Sequence, residues 1–95
     1  MTEYTWQRIT YDICLSHHKL WIGAILITPT SGSSGTVTLY NGESKADPKV
    51  LKVQTGTAET FSLSFAEPLY CDRGLYVDIG DNVDELLIQI YESEP

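Results

Sequence analysis

The chain has 95 residues, with 6 Lys and Arg residues against 13 Asp and Glu residues, and a net charge of −7. This length predicts a single domain over residues 1–95, which buries roughly two-thirds of the surface that the unfolded chain exposes. An acidic chain without a basic cluster is repelled by phosphate backbones and by anionic lipid. Nucleic acid and membrane are therefore excluded as expected partners.

The first twenty residues carry several charges and no uninterrupted apolar segment, which argues against a signal peptide. The longest apolar run, residues 20–27, is far shorter than the ~20 residues that a membrane-spanning helix needs. We therefore expect the protein to be made and kept in the cytoplasm. There its two cysteines, Cys14 and Cys71, are expected to stay reduced and partly buried, with a disulfide as the alternative.

Alternation of apolar and polar residues, which indicates half-buried strands, is found along most of the chain. Residues 1–8 come before the first alternating run and are interpreted as an N-terminal arm. Residues 20–27 are apolar on both faces and predict a central strand that is covered on both sides. The alternating runs follow in chain order at residues 9–14, 36–40, 61–65, 75–79 and 86–91.

Turn-forming residues separate these runs, as in PTSGSSG at residues 29–35. Asn41-Gly42 is typical of a tight hairpin, but the polar residues 43–49 that follow it predict a longer loop. Seven or eight short antiparallel strands predict an all-β fold, namely an antiparallel β-sandwich of the jelly-roll or immunoglobulin-like kind. The expected core consists of Trp21, Ile25, Val37, Leu39, Phe61, Leu63, Phe65, Leu75, Val77, Ile88 and Ile90.

Four carboxylates, those of Asp78, Asp81, Asp84 and Glu85, crowd the stretch GLYVDIGDNVDE at residues 74–85. Calcium loops place their oxygen ligands at tight alternating positions, and this spacing fits no such pattern. Asp and Asn favour turns because their side chains bond nearby backbone amides. We interpret the run as a turn before the last strand, with a weak calcium site as the alternative.

Other candidate sites in the sequence are equally weak. The adjacent His17 and His18 would point to opposite faces of a strand, and no further residues complete a zinc ligand set, so a polar turn is favoured. Cys14 beside these histidines suggests a thiol–imidazole pair only by closeness in sequence. Ser33-Ser34 lacks the nucleophile-elbow pattern, and no phosphate-binding loop is found. We predict no enzymatic activity, no cofactor and no metal site.

Six tyrosines and two tryptophans are a generous number for a domain of this size. Phe61, Phe65 and Trp21 have apolar neighbours, whereas Tyr4 and Trp6 precede the first alternating run. Each aromatic residue taken singly is more often packed in a core. As a group they favour binding over catalysis, because exposed Tyr and Trp anchor protein interfaces and sugar-binding faces.

Two motifs carry a resemblance to a known group of proteins. They are GTVTLYNG at residues 35–42 and GLYVD at residues 74–78, followed by the strand at residues 86–91. With these motifs the chain resembles small all-β virion proteins of tailed bacteriophages, in which a G-x-V-x-L-Y-D/N-G strand and a late G-L-Y-V-D strand recur. The likeness covers roughly residues 35–91.

The resemblance implies a non-enzymatic structural protein on the capsid surface of the virion, foremost a decoration or cement protein that stabilises the head. The implied partners are the major capsid protein and further copies of the chain, most readily as a homotrimer. A tail or head–tail structural protein is the near alternative, and a carbohydrate-binding or adhesion module is the alternative from another class. The residues expected to form the interface are Tyr4, Trp6, Tyr11, His17 and His18.

Overall fold

A computed structural model describes residues 4–93 of the chain. Within this range the chain forms eight β-strands and no helix, so no helix there is long and apolar enough to cross a membrane. The predicted all-β fold of seven or eight antiparallel strands is confirmed. In chain order the strands are β1 (Tyr4–Ile9), β2 (Ile13–Ser16), β3 (Leu20–Pro29), β4 (Thr36–Tyr40), β5 (Lys49–Gln54), β6 (Phe61–Cys71), β7 (Leu75–Ile79) and β8 (Val83–Tyr91).

The strands form two four-stranded antiparallel sheets. Sheet A has the order β1-β8-β3-β6, and sheet B has the order β2-β7-β4-β5. The pairing is nested, since β4 pairs with β5, β3 with β6, β2 with β7 and β1 with β8. Nested pairing of eight strands is the topology of a jelly roll, whereas an immunoglobulin-like sheet places the first strand beside the second.

The core lies between the two sheets, where alternate side chains of each strand point inward. Sheet A contributes Ile9, Leu20, Ile22, Ile25, Ile27, Leu86, Ile88 and Ile90, and sheet B contributes Val37, Leu39, Val53, Leu75 and Val77. Of the expected core residues, Phe61, Leu63 and Phe65 pack against this cluster but are only half-buried. They belong to β6, which is an edge strand and has a neighbour on one side alone.

Trp21 was expected in the core, and the structure places it on the outer face of sheet A. The reason is a bulge in β3: Ile22 pairs with Ile90 and Ala24 with Gln89, so Gly23 has no partner on β8. One extra residue reverses the alternation of side chains between the two ends of a strand. Trp21 and Ile25 are four residues apart and would point to the same face of a regular strand, but here they point to opposite faces. The sequence predicted that β3 is covered on both faces. In the structure only its inner face is covered by another layer, and its outer face is not.

The expected N-terminal arm is not seen in the described residues. Tyr4 to Arg8 belong to β1, which pairs with β8 along its whole length and ends at the buried Ile9. The alternating run at residues 9–14 is not one strand either, because the chain crosses from sheet A to sheet B after Ile9. Asp12 fixes this crossing by accepting a hydrogen bond of 2.7 Å from the backbone N–H of Ile79.

The connection before the last strand is shorter than predicted. Strand β8 begins at Val83, so Asp84 and Glu85 are strand residues and only residues 80–82 form the turn. Asn82 adopts a left-handed conformation there, with φ of 64°. Gly74, which opens the GLYVD motif, has φ of 131°, and a Cβ at this position would collide with the backbone oxygen of Ser16. The motif glycine is therefore required by the backbone.

Candidate binding face

The outer face of sheet A carries four aromatic side chains that cross all four strands. Tyr4 of β1 lies opposite Tyr91 of β8, which in turn lies opposite Trp21 of β3. Trp21 lies opposite Tyr70 of β6. Residues directly opposite each other in an antiparallel pair point to the same face of the sheet. We call Tyr4, Tyr91, Trp21 and Tyr70 the aromatic row.

Ring contacts join the members of the aromatic row in two pairs. The rings of Trp21 and Tyr70 are stacked, with centroids 4.9 Å apart and planes inclined by 28°. The rings of Tyr4 and Tyr91 meet edge to face, with centroids 5.8 Å apart. Such pairs are worth about 0.5–1.5 kcal/mol beyond the area that they bury. At the two ends of the row, Tyr4 is 53% exposed and Tyr70 is 52% exposed, so the row is both ordered and accessible.

The next positions along β1 extend this exposed surface. Trp6 is 47% exposed and lies opposite Gln89. Beyond it, the guanidinium Nε of Arg8 donates to a carboxylate oxygen of Glu85 over 2.6 Å. An exposed ion pair of this kind contributes about 0–1 kcal/mol, but it neutralises the charge at this edge of the face.

Gly23 shapes the centre of the face. A Cβ at this position would lie 2.5 Å from Oε1 of Gln89 and 2.8 Å from Cε2 of Tyr91. Both side chains therefore approach the backbone at Gly23 more closely than a residue with a Cβ would allow. The absence of a side chain there makes room for Gln89 and Tyr91 on the outer face.

A shallow groove adjoins the β6 end of the aromatic row. It has a volume of about 480 Å³, and a smaller groove of about 300 Å³ continues from it towards the β2–β3 connection. Lys19 and Glu92 line both grooves, and Trp21 and Tyr70 form the wall of the larger one. The grooves thus combine aromatic rings with two oppositely charged side chains.

The structure brings together some of the residues predicted to form an interface. Tyr4 and Trp6 share the outer face of sheet A, and His17 and His18 lie in the exposed β2–β3 turn at the same end of the sheet as Tyr4. Tyr11 is 63% exposed, but it follows the opposite end of β1. One docking surface around the aromatic row therefore includes Tyr4 and Trp6 and leaves Tyr11 outside.

The cysteine and histidine residues of β2 and its turn form no catalytic arrangement. Nδ1 of His17 lies 3.8 Å from Sγ of Cys14 and 3.1 Å from Oε1 of Glu43, so both neighbours compete for one ring nitrogen. A nucleophile–histidine–carboxylate relay needs both nitrogens. Burial and the nearby carboxylate of Glu43 raise the pKa of the Cys14 thiol, and burial raises the pKa of Cys71 to about 11. Both are free thiols that stay protonated at neutral pH, unlike activated cysteines.

The acidic run near the C-terminus is dispersed over the two sheets. Asp78 lies in β7 of sheet B, where Nζ of Lys45 is 3.6 Å from its Oδ1. Asp84 lies in β8 of sheet A and accepts a hydrogen bond of 3.2 Å from the hydroxyl of Thr30. Within the described part of the chain, no three His, Cys, Asp or Glu side chains come close enough to hold a metal ion.

The β4–β5 connection, residues 41–48, is the longer loop that the sequence predicts. The carboxylate of Asp47 organises it by accepting hydrogen bonds from the backbone N–H groups of Glu43 at 2.7 Å and Ser44 at 3.1 Å. The guanidinium of Arg73 lies 2.8 Å from the same carboxylate. These hydrogen bonds and this charge hold the pKa of Asp47 below its usual value, against the opposing effect of burial.

Sequence reasoning missed three members of the aromatic row. Tyr91 and Tyr70 each follow an inward-facing residue, Ile90 and Leu69, so period-2 alternation already indicates that they point outward. The position of Trp21 could not be found in this way, because the bulge at Gly23 reverses the alternation. That the three residues lie side by side depends on the pairing of β8, β3 and β6, which are distant in sequence.

Comparison with known proteins assigns no family to this chain. No protein-family model matches it, and neither does any curated protein or solved structure. The candidate binding face is therefore supported by its own geometry.

Proposed function

We propose that the protein is a non-enzymatic structural component of a bacteriophage virion, which decorates or cements the head by docking the β1 side of sheet A on the major capsid protein. A structural component of the tail or the head–tail region is the near alternative. The proposal includes assembly with further copies of the chain, as a trimer on the capsid surface. No cofactor and no metal is required for such a role.

The observation that carries the proposal is the exposed aromatic face of sheet A. Tyr and Trp are enriched among the residues that dominate binding energy at protein interfaces. Here Tyr4 and Trp6 are presented on a paired strand of sheet A, and the Arg8 charge beside them is balanced by Glu85. Because the chain as a whole is strongly acidic, a neutral aromatic patch is where close approach of another protein costs least.

The resemblance to phage virion proteins supports the choice of partner. The two glycine-containing motifs lie on β4 and on β7, which are neighbouring strands of sheet B. They thus belong to the sheet opposite the aromatic face. Jelly rolls are used in viral capsid proteins and also in lectins, so the fold agrees with the proposal by analogy only.

The proposal is tested by cosedimentation of the purified protein with heads assembled from the major capsid protein of the same genome. Trp6→Ser and Tyr4→Ser are expected to weaken binding by about tenfold each, because interface aromatics commonly contribute more than 1 kcal/mol. Both residues are exposed, so the variants keep the fold. Tyr11→Ser is the matched control, since Tyr11 is also exposed but lies beyond the other end of β1.

Two results would contradict the proposal. One is a genome in which no capsid, portal or tail gene lies near the coding sequence. The other is a protein that sediments away from heads and tails at all concentrations. Heads that bind the Trp6→Ser and Tyr11→Ser variants equally well would leave the virion role standing but remove the aromatic face from it.

A further inference from the structure

We infer that the β6 end of the aromatic row is a binding site for a neutral hexopyranose, which stacks on Tyr70 beside Trp21 and receives hydrogen bonds at Lys19 and Glu92. This site lies at the opposite edge of sheet A from Tyr4 and Trp6, since β1 and β6 are the two edge strands. The site does not depend on the proposed role in the virion, because its residues, Trp21, Tyr70, Lys19 and Glu92, include neither Tyr4 nor Trp6.

The stacked pair supplies the apolar part of the site. Trp21 and Tyr70 lie with centroids 4.9 Å apart, so Trp21 supports the ring of Tyr70 from one side. Tyr70 is nonetheless 52% exposed, because no strand lies beyond β6. The C–H groups on one face of a pyranose carry a partial positive charge and complement the negative face of an aromatic ring. A ring fixed by a second ring binds with little loss of side-chain entropy.

Lys19 and Glu92 supply the polar part. Lys19 precedes β3 and Glu92 follows β8, so the adjacent ends of two paired strands place both side chains at the groove beside the stacked rings. An ammonium donates hydrogen bonds and a carboxylate accepts them, which matches vicinal hydroxyl groups that do both. The groove volume of about 480 Å³ falls within the usual range of about 300–1,000 Å³ for small-ligand sites.

The charges at the groove select the class of ligand. Lys19 and Glu92 balance each other, so a ligand with a net charge gains attraction from one and repulsion from the other. Nucleotides also stack on aromatic rings, but the net charge of −7 repels their phosphates. A neutral sugar ring presents an apolar face and hydroxyl groups without this penalty.

The inference is tested by nuclear magnetic resonance titration of the full chain with the methyl glycosides of D-glucose, D-galactose and D-mannose at millimolar concentrations. The chain has two tryptophans, and one spectrum follows both: Trp6 reports on the β1 edge of the face and Trp21 on the ring stacked against Tyr70 of β6. At least one glycoside is expected to shift the indole N–H signal of Trp21 in a saturable manner. The Trp6 signal is expected to stay in place.

Variants separate stacking from the polar contacts. Tyr70→Ala is expected to lower the affinity roughly tenfold, while the exposure of Tyr70 predicts that the fold is kept. Glu92→Gln, which keeps the shape but removes the charge, is expected to weaken the binding less than Glu92→Ala. Tyr11→Ala, at the far end of the molecule, serves as the control for an exposed tyrosine and is expected to bind as the unchanged chain does.

Several outcomes overturn the inference. Saturable shifts that centre on Trp6 move the site elsewhere, and the absence of saturable shifts with all three glycosides removes it. Tighter binding of methyl glucuronide than of methyl glucoside contradicts the selection of a neutral ring. Because capsid binding is measured with Trp6→Ser and sugar binding with Tyr70→Ala, either role can fail without the other.

Discussion

At the scale of single residues, adjacent positions of β8 differ sharply in what they contribute. Ile88 points between the sheets and is fully buried, whereas Leu87 points outward beside Trp6 and Arg8 of β1 and is half-buried. The free energy gained by removing apolar surface from water scales with the area removed. Two similar aliphatic side chains in one strand should therefore have unequal effects on stability.

We expect Ile88→Ala to lower the free energy of unfolding by about 2–5 kcal/mol, because a cavity is left between two packed sheets. Leu87→Ala, the matched change on the outer face, is expected to cost less than half as much. Urea denaturation followed by circular dichroism measures both values. Equal losses in the two variants would contradict the assignment of the inward face.

The carboxylate of Asp47 makes the β4–β5 loop sensitive to acid. Its pKa in the folded protein is below the usual 3.8, so its stabilising effect is complete above about pH 4 and is lost as the pH falls through the lower folded value. We expect the unchanged chain to be more stable than Asp47→Asn at about pH 6. This difference in the free energy of unfolding should shrink below about pH 4. Denaturation of both proteins at a series of pH values measures it. A constant difference down to about pH 2 would contradict the role of Asp47.

At the scale of elements, β1 is the strand for which the structure differs most from the sequence prediction. It covers one edge of β8 and buries Ile9, so it belongs to the sheet and not to a free arm. Its outward residues Tyr4 and Trp6 are exposed, so the same strand presents the docking surface. An edge strand with unpaired backbone groups is prone to pair with another chain. By pairing with β8, β1 covers backbone groups of β8 that would otherwise be unpaired.

We therefore expect deletion of residues 1–8 to lower the midpoint of urea denaturation and to promote self-association through the uncovered edge of β8. The double variant Tyr4→Ser/Trp6→Ser keeps the strand and serves as the control, so it should stay monodisperse in light scattering. A truncated chain that unfolds at the same urea concentration as the full chain would restore the arm interpretation. Capsid binding by the truncated chain is expected to be lost whether residues 1–8 form an arm or a strand, so the urea midpoint is the measurement that distinguishes them.

At the scale of the whole molecule, the surface is small and strongly acidic. Its accessible area is 5423 Å², and a standard stable interface buries about 800 Å² per partner, roughly a seventh of this surface. One copy thus offers room for few such contacts. Several linked copies bind with an affinity that exceeds that of each contact, which favours an oligomer on a capsid.

We expect the protein to form a trimer whose stability increases with salt, because the net charge of −7 on each copy opposes association. Sedimentation equilibrium at about 0.02 M and about 0.5 M salt measures this dependence. A protein that remains monomeric at high concentration in both buffers, and after release from particles, would contradict the trimer.

The sequence by itself determined the fold class and most of the core. Period-2 alternation identified Val37, Leu39 and Ile88 as inward-facing, because the side chains of a strand point to alternate faces whatever its neighbours are. The polar residues 43–49 predicted the long loop after Asn41-Gly42. The spacing of the acidic run fits no calcium-binding pattern, and this too is a local property of the sequence.

Only the tertiary structure decided which strands are neighbours, and with them the binding face. The bulge at Gly23 depends on how β3 pairs with β8, so the sequence placed Trp21 in the core although it points outward. Tyr4 and Tyr91 are almost the whole chain apart in sequence and meet because the first strand pairs with the last. Alternation within a strand determines which face a side chain points to. Strand order determines which side chains from other strands lie next to it.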